Sequence, residues 1–165
     1  MNLLISLLFT SLIGTYALAE VPAMEVDNRV STSVSSFEGR DRVYYNCDAV
    51  EAAALDLLQA MGATVTSLRC SGGIEHGRLD PAYVRATFTQ LVPTDSDKAT
   101  HSGEYTDVSL QGRESRSGVI EGHSCHLMQS LFRSFRRKFN LENVKAKFNC
   151  SGSLRRYTIE FTALK

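Results

Sequence analysis

The 165-residue sequence lacks several features that membrane proteins, lipoproteins and thiol redox enzymes require. After the N-terminal apolar stretch, no second apolar run is long enough to span a membrane. No cysteine lies near the end of that stretch, which argues against a lipid-anchored form. No Cys-x-x-Cys motif occurs, so catalysis by a redox-active thiol pair is disfavoured.

The N-terminal residues 1–19 predict a signal peptide. The uncharged apolar stretch ends in Ala17-Leu18-Ala19, whose small outer residues suit signal peptidase. No Lys or Arg precedes the stretch, and an uncleaved membrane anchor is the alternative. Because the stretch contains polar Ser and Thr and ends in this site, we expect cleavage after Ala19. The mature protein is then secreted, to the periplasm or the extracellular space.

The cysteines predict two disulfides. An even number of cysteines in an exported chain favours pairing, since disulfides persist outside the cytosol. Four cysteines allow three connectivities, and similar spacings of 23 and 25 residues favour Cys47–Cys70 and Cys125–Cys150.

The segments around the two cysteine pairs resemble each other. Ser-Gly follows each second cysteine, at 71–72 and 151–152, and Gly-Arg-acid precedes each segment, at 39–41 and 112–114. Strand-like segments of similar character then follow, Val84–Leu91 and Tyr157–Leu164. We predict one domain over residues 20–165, made of two internal repeats at about 30–92 and 104–164. A unit of about 60 residues buries its core poorly alone, so each repeat would complete the other.

The sequence of each repeat predicts, in order, a strand, a second short strand, a helix and a final hairpin. Asp48 and Glu51 are spaced as a capping box for the first helix, and Ser124 is the expected cap of the second. The predicted fold is α+β, an antiparallel sheet with two helices packed on one face. The apolar stripes recur at helical spacing in both helices: Val50, Ala54, Leu57 and Met61, then Met128, Leu131, Phe135 and Phe139.

The net charge of zero hides an asymmetry between the two halves. Residues 20–112 hold 7 Lys/Arg against 14 Asp/Glu, whereas residues 113–165 hold 11 against 4. Oppositely charged halves permit a homodimer through charge complementarity, or simply attract each other within one domain.

A basic stripe is the strongest functional signal. Helical spacing places Arg133, Arg136 and Arg137 on one face, opposite Leu131 and Phe135. Since arginine binds carboxylate and phosphate bidentately, an acidic protein, a lipid headgroup or an acidic glycan is the expected partner. A merely solvated helix face is the alternative. Nucleic acid is not expected, because no basic motif with interleaved aromatics stands out.

A longer loop between the last two strands of the first repeat is the second candidate surface. The loop Gly72–Pro81 is absent from the second repeat and carries Glu75, His76 and Arg78. Inserted loops often carry function. This one predicts a contact loop, or an acid–base site if Glu75 and His76 face a cleft.

The string Gly122-His123-Ser124-Cys125-His126 is compatible with two kinds of site, a serine nucleophile and a metal site. It begins like a nucleophile elbow but lacks the final glycine that such a turn requires. His123 and His126 alone are too few ligands for zinc. We therefore predict no catalytic residues, no metal and no cofactor.

The function predicted from these features is a non-enzymatic binding or accessory module of the cell envelope or extracellular space. Two alternatives stay open. One is an inhibitor of an extracellular enzyme that presents the inserted loop. The other is a small hydrolase-like enzyme that uses Glu75, His76 or the His123/His126 pair. The sequence offers too few convergent acids, bases and nucleophiles to favour catalysis.

Overall fold

The computed structural model describes residues 20–38, 41–75 and 78–165, so the predicted signal peptide lies outside the described residues. The mixture of helices and antiparallel sheets confirms an α+β fold. A 3-10 turn, Arg136–Lys138, follows the second helix directly. In chain order the other elements are β1 (Val21–Val34), β2 (Ser36–Glu38), β3 (Asp41–Val43), α1 (Cys47–Ala60), β4 (Ala63–Ser71), β5 (Ile74–Glu75), β6 (Arg78–Leu79), β7 (Ala82–Pro93), β8 (His101–Gly103), β9 (Tyr105–Ser115), β10 (Gly118–Glu121), α2 (Cys125–Phe135), β11 (Glu142–Asn149) and β12 (Leu154–Leu164).

The long strands form two sheets where the sequence predicts one. The first sheet has the order β4-β7-β1-β8 and the second the order β10-β9-β12-β11, with antiparallel neighbours throughout. Two short hairpins, β2–β3 and β5–β6, stand apart from these sheets. The first sheet thus contains the run β4-β7-β1 and the second the run β11-β12-β9, which join corresponding strands of the two predicted repeats. An origin by duplication stays a prediction.

One stretch of backbone joins the two sheets. β8 pairs with the start of β1, and after a single intervening residue, Glu104, β9 pairs with β12. At this junction Glu104 and Lys165 exchange two backbone hydrogen bonds, of 2.8 and 3.0 Å. The strand partners therefore change within one residue, which a pattern of alternating apolar positions does not reveal.

A single hydrophobic core extends over both sheets. α1 contacts β4 and β7, α2 contacts β1 as well as β9, β11 and β12, and the helices contact each other. The predicted stripes line this core, with Phe139 only partly buried and stacked on Phe88 at 5.1 Å between ring centroids. Burial of these side chains is the main stabilising contribution to the fold.

The start of α1 differs from the prediction. The Asn46 side chain, 2.9 Å from the Ala49 N–H, caps the helix. The predicted capping box is therefore wrong, and Glu51 instead accepts the Cys70 N–H at 2.6 Å. At the other end Gly62 follows the last helical turn: its φ is +88°, and a Cβ there would lie 2.5 Å from the Leu164 carbonyl oxygen.

Both predicted disulfides are confirmed. Cys47 and Cys125 are the first residues of α1 and α2; their partners are Cys70 in β4 and Cys150 directly after β11. Each bridge therefore ties the start of a helix to the strand that follows it. In the part of the chain that the structure describes, no helix has both the length and the apolar character to cross a bilayer.

Candidate functional site

The three arginines of the predicted basic stripe lie together at the C-terminal end of α2. Arg133 belongs to the last turn of the helix, and Arg136 and Arg137 to the 3-10 turn that continues it. All three side chains are exposed, whereas Leu131 and Phe135 are buried beneath them. We call Arg133, Arg136 and Arg137 the basic face.

The basic face rests on a fixed support. The carbonyl of Lys138 accepts a hydrogen bond of 2.8 Å from the Gln90 side chain on β7, and the stacked pair Phe88–Phe139 holds the residue that follows. Cations at a helix C-terminus also interact favourably with the helix dipole, by about 0.3–1 kcal/mol each. Among the described residues, no carboxylate forms an ion pair with Arg133, Arg136 or Arg137.

The basic residues of the β11–β12 hairpin, which follows α2 in the chain, differ in their surroundings. Lys145 and Lys147 on β11 and Arg156 on β12 are exposed. Arg155 is not: its side chain is 12% exposed, and its Nη1 lies 3.3 Å from Oε1 of Glu114. Arg155 therefore supports the start of α2, where Glu114 also accepts a hydrogen bond, and contributes little to a basic surface.

The string Gly122–His126 does not assemble a serine nucleophile. The His123 ring lies 2.8 Å from Asp56 of α1, while the Ser124 hydroxyl donates to Glu114 at 3.2 Å. Glu114 also accepts the Cys125 N–H at 3.0 Å. Ser124 thus occupies the predicted N-cap position, but the Glu114 carboxylate satisfies the helix amide in its place.

The Asp56–His123 pair is a contact that the sequence could not indicate, because its members are 67 residues apart. The side chain of His123 is 23% exposed and that of Asp56 is 64% exposed, so the pair lies at the surface. No set of three or more His, Cys, Asp or Glu residues in the described ranges is placed to hold a metal ion.

Tyr157 lies directly behind this pair. Its hydroxyl oxygen accepts the backbone N–H of His123 at 3.2 Å. Burial raises the pKa of Tyr157; the His123 hydrogen bond lowers the pKa, and the carboxylates of Asp56 and Glu121 raise it further. The phenol therefore stays protonated at neutral pH and serves as a buried hydrogen-bond partner rather than a base.

The inserted loop forms a small hairpin, β5–β6. Its base is fixed by hydrogen bonds from the Ile74 N–H to the Tyr45 carbonyl and from the Asp80 N–H to the Gly73 carbonyl, both 3.1 Å. Ile74 and Leu79 face each other across the hairpin and are 48% and 59% exposed. Of the predicted contact residues here, Arg78 is exposed, Glu75 forms part of β5, and His76 lies outside the described residues.

The two sheets carry arginine pairs that were not predicted from the sequence. Arg69 on β4 lies directly opposite Arg85 on β7, and Arg113 on β9 lies directly opposite Arg156 on β12. All four side chains are exposed. Only the strand register, which depends on long-range pairing, brings them together; the alternation of exposed and buried residues along β7 is the one local signal.

Comparison with known proteins gives no assignment: no family model, no curated protein and no solved structure matches the chain.

Proposed function

We propose that the protein is an exported, non-enzymatic binding module that docks to an acidic protein surface through the basic face. The observation that carries this proposal is the exposure of Arg133, Arg136 and Arg137 together, on a fixed helix end, with no ion pair to a described residue. Arginine forks bind carboxylates bidentately, which favours docking on clustered Asp and Glu side chains.

An acidic protein fits this surface better than a membrane does. The apolar side chains of α2 are buried in the core, so none is left to enter a bilayer. None of the large hydrophobic residues exposed in the described ranges belongs to α2 or to the turn after it. A lipid headgroup or an acidic glycan would be bound by charge alone, and both are outcomes of the test below.

Export is part of the proposal. Two disulfides that close similar loops, with no free cysteine among the described residues, are typical of chains that fold in an oxidising compartment. The predicted cleavage after Ala19 would place the mature chain there.

The test measures binding of poly-L-glutamate to the mature, disulfide-bonded protein by fluorescence anisotropy. The variant Arg133→Gln/Arg136→Gln/Arg137→Gln is expected to lose at least tenfold in affinity. The matched control, Lys98→Gln/Arg116→Gln/Lys165→Gln, removes the same charge from exposed positions elsewhere and should lose less than twofold. Equal losses of affinity in the two variants would show that net charge alone governs binding and would contradict the proposal that the basic face is the binding surface.

Three further arms separate the other partners. Binding of heparin tests an acidic glycan as the partner, and binding to vesicles of anionic phospholipid tests a lipid headgroup. Light scattering after gel filtration of the protein at high concentration tests a homodimer. A photoreactive residue at position 136 in the native host then tests docking in the cell. A discrete protein adduct supports the proposal, whereas an adduct with lipid or glycan alone, or none, contradicts it.

An enzyme inhibitor is the second candidate function, favoured by the β5–β6 hairpin. Ile74 and Leu79 present apolar surface on a hairpin whose base is fixed, as a contact loop would. A photoreactive residue at position 79 tests this candidate in the same host. A discrete enzyme adduct from position 79, without one from position 136, would show that the hairpin is the binding surface and that the basic face is not.

A further inference from the structure

The outer face of the first sheet carries an arginine pair without a neighbouring carboxylate. Along β7 the exposed residues Tyr83 and Arg85 alternate with buried Val84 and Ala86, so the former point away from the core. Arg85 lies directly opposite Arg69 on β4 and Ser31 on β1. These three residues form one row across the sheet.

The rows on both sides of this one also consist of arginine and hydroxyl-bearing residues. One row is Ser71–Tyr83–Ser33 and the other is Ser67–Thr87–Arg29. The nine positions thus hold three arginines and six hydroxyl side chains, and no acid. This composition is notable because residues 20–112 contain twice as many acidic as basic residues, 14 against 7. On β1 the carboxylate nearest to these rows is that of Asp27, in the next row beyond Arg29.

Two arginines directly opposite each other destabilise a sheet. Their Cβ atoms are about 4.5–5.5 Å apart in such a pair, and like charges there repel. No ion pair within the described ranges involves Arg69 or Arg85. The other arginine pair differs, because Glu121 on β10 lies directly opposite Arg113 and offsets part of the repulsion.

The surroundings of Arg69 and Arg85 form a shallow and well-supported cavity. It has a volume of about 380 Å³ and is lined in part by Ser31, Ser71, Tyr83 and the two arginines. β7 is a central strand of the sheet, and Cys70, next to Arg69, is fixed by the disulfide to α1. The backbone that carries these donors is therefore held in place, so that ligand binding has only the side chains to order.

We propose that this cavity is a binding site for a phosphate or sulfate group. The guanidinium groups of Arg69 and Arg85 supply paired N–H donors that match the oxygens of a tetrahedral oxyanion. The hydroxyls of Ser31, Ser71 and Tyr83 can donate to the remaining oxygens. A carboxylate, with two oxygens, would leave several of these donors unused. The site is separate from the basic face and goes beyond the function proposed above.

The test is a titration of the mature, disulfide-bonded protein with inorganic phosphate and with sulfate at low ionic strength, followed by NMR of backbone amides. Saturable shifts are expected in β4 and β7 around Arg69 and Arg85. The variant Arg69→Gln/Arg85→Gln should lose at least tenfold in affinity. Its matched control, Arg113→Gln/Arg156→Gln, removes the other opposed pair and should change affinity less than twofold.

Stability separates a binding role from a structural role. Without ligand, Arg69→Gln/Arg85→Gln should unfold at the same or a higher temperature than the parent protein, because the repulsion between the arginines is removed. Phosphate should raise the midpoint of the parent protein and of the control but not that of the variant. A variant that melts lower without ligand would make the pair structural and overturn the proposal.

A heparin tetrasaccharide tests whether the bound sulfate group belongs to a sulfated glycan or is a free ion. Tighter binding of the tetrasaccharide than of free sulfate, lost in the same variant, assigns the site to a sulfated glycan; equal binding assigns it to the free ion. Shifts that do not saturate, or equal losses in variant and control, would contradict a site. Neither result bears on the basic face, whose arginines are unchanged in both variants.

Discussion

At the scale of single residues, the pair Tyr157 and Gly112 determines how the second sheet meets the loop before α2. Tyr157 on β12 lies directly opposite Gly112 on β9, and a Cβ on Gly112 would overlap the tyrosine ring. The ring thus lies flat over the glycine, and its hydroxyl reaches the backbone of His123. Glycine is required here for close approach, not for an unusual backbone angle.

Gly112→Ala is expected to lower the free energy of unfolding by about 1–3 kcal/mol, the usual cost of overfilling a packed site. Urea denaturation of the oxidised protein measures this loss. In a Tyr157→Ala background the same substitution should cost at least about 1 kcal/mol less, because the overlapping ring is gone. An equal cost in both backgrounds would mean that the glycine serves another purpose.

Tyr157 also predicts a loss of stability at alkaline pH. Because its pKa is raised in the folded protein, the folded state holds the phenolic proton more tightly than the unfolded state, whose pKa is about 10. The stabilisation is complete below about pH 10 and is lost as the pH rises through the folded-state pKa. Thermal midpoints from pH 8 to 11 should therefore fall more steeply for the parent protein than for Tyr157→Phe.

Tyr105 supplies an internal reference for that comparison. Its pKa is also raised, first by burial and then by a hydrogen bond and the charge of Glu142, and it is present in both proteins. The difference between the two pH profiles therefore reports Tyr157 alone. Parallel profiles, with the disulfides shown intact by mass spectrometry, would contradict the raised pKa of Tyr157.

At the scale of elements, a mostly buried carboxylate replaces the side-chain cap expected for α2. Glu114, 13% exposed, accepts from the Cys125 N–H and from the Ser124 hydroxyl and pairs with Arg155. A carboxylate at a helix N-terminus also interacts favourably with the helix dipole. The start of α2 is thus held by β9 and β12 rather than by its own cap residue.

Glu114→Ala is expected to destabilise the protein by about 2–4 kcal/mol, because a cap and a mostly buried ion pair are lost together. Ser124→Ala should cost less than about 1 kcal/mol, since its hydroxyl accepts no helix amide. Urea denaturation compares the two variants. A larger loss of stability for Ser124→Ala than for Glu114→Ala would show that Ser124 caps α2, as the sequence predicts.

The two disulfides should contribute unequally. Loops of 23 and 25 residues imply about 3 kcal/mol for each bridge on the chain-entropy model. Cys125 and Cys150 are buried, however, whereas Cys47 and Cys70 are half-buried. Cys125→Ala/Cys150→Ala should therefore lower the free energy of unfolding more than Cys47→Ala/Cys70→Ala, because it also leaves a cavity. Equal losses would show that loop closure alone accounts for both bridges.

At the scale of the whole molecule, local sequence patterns predicted the helices and the disulfides. The division into two sheets and the contacts between distant elements depend on long-range pairing, which those patterns do not show. The stripe through Val50 and Leu57 and the spacing of the cysteines depend on neighbouring positions, so the sequence shows them. The division into two sheets depends on the change of strand partners at Glu104. The contact between Asp56 and His123 and the register that places Arg69 opposite Arg85 depend on how distant elements meet, and no local pattern contains that information.

The shared core predicts that neither half folds alone. Fragments 20–98 and 99–165 divide the chain after a solvent-exposed turn, and each would expose core surface that the other covers. Each fragment alone is expected to show no dispersed NMR spectrum, and an equimolar mixture should recover the spectrum of the intact protein. A dispersed spectrum from either fragment alone would show that its core is sufficient.

The position of β7 and β12 within the sheets sets the order in which this molecule can take shape during translation. Each strand comes after the two long strands of its own half, yet lies between them in the sheet. While the ribosome adds residues, β1 and β4, and later β9 and β11, have no central strand to join them. Neither sheet can therefore form strand by strand in chain order, because the long strands on either side are joined only when the central strand, the last long strand of its half, has been synthesised.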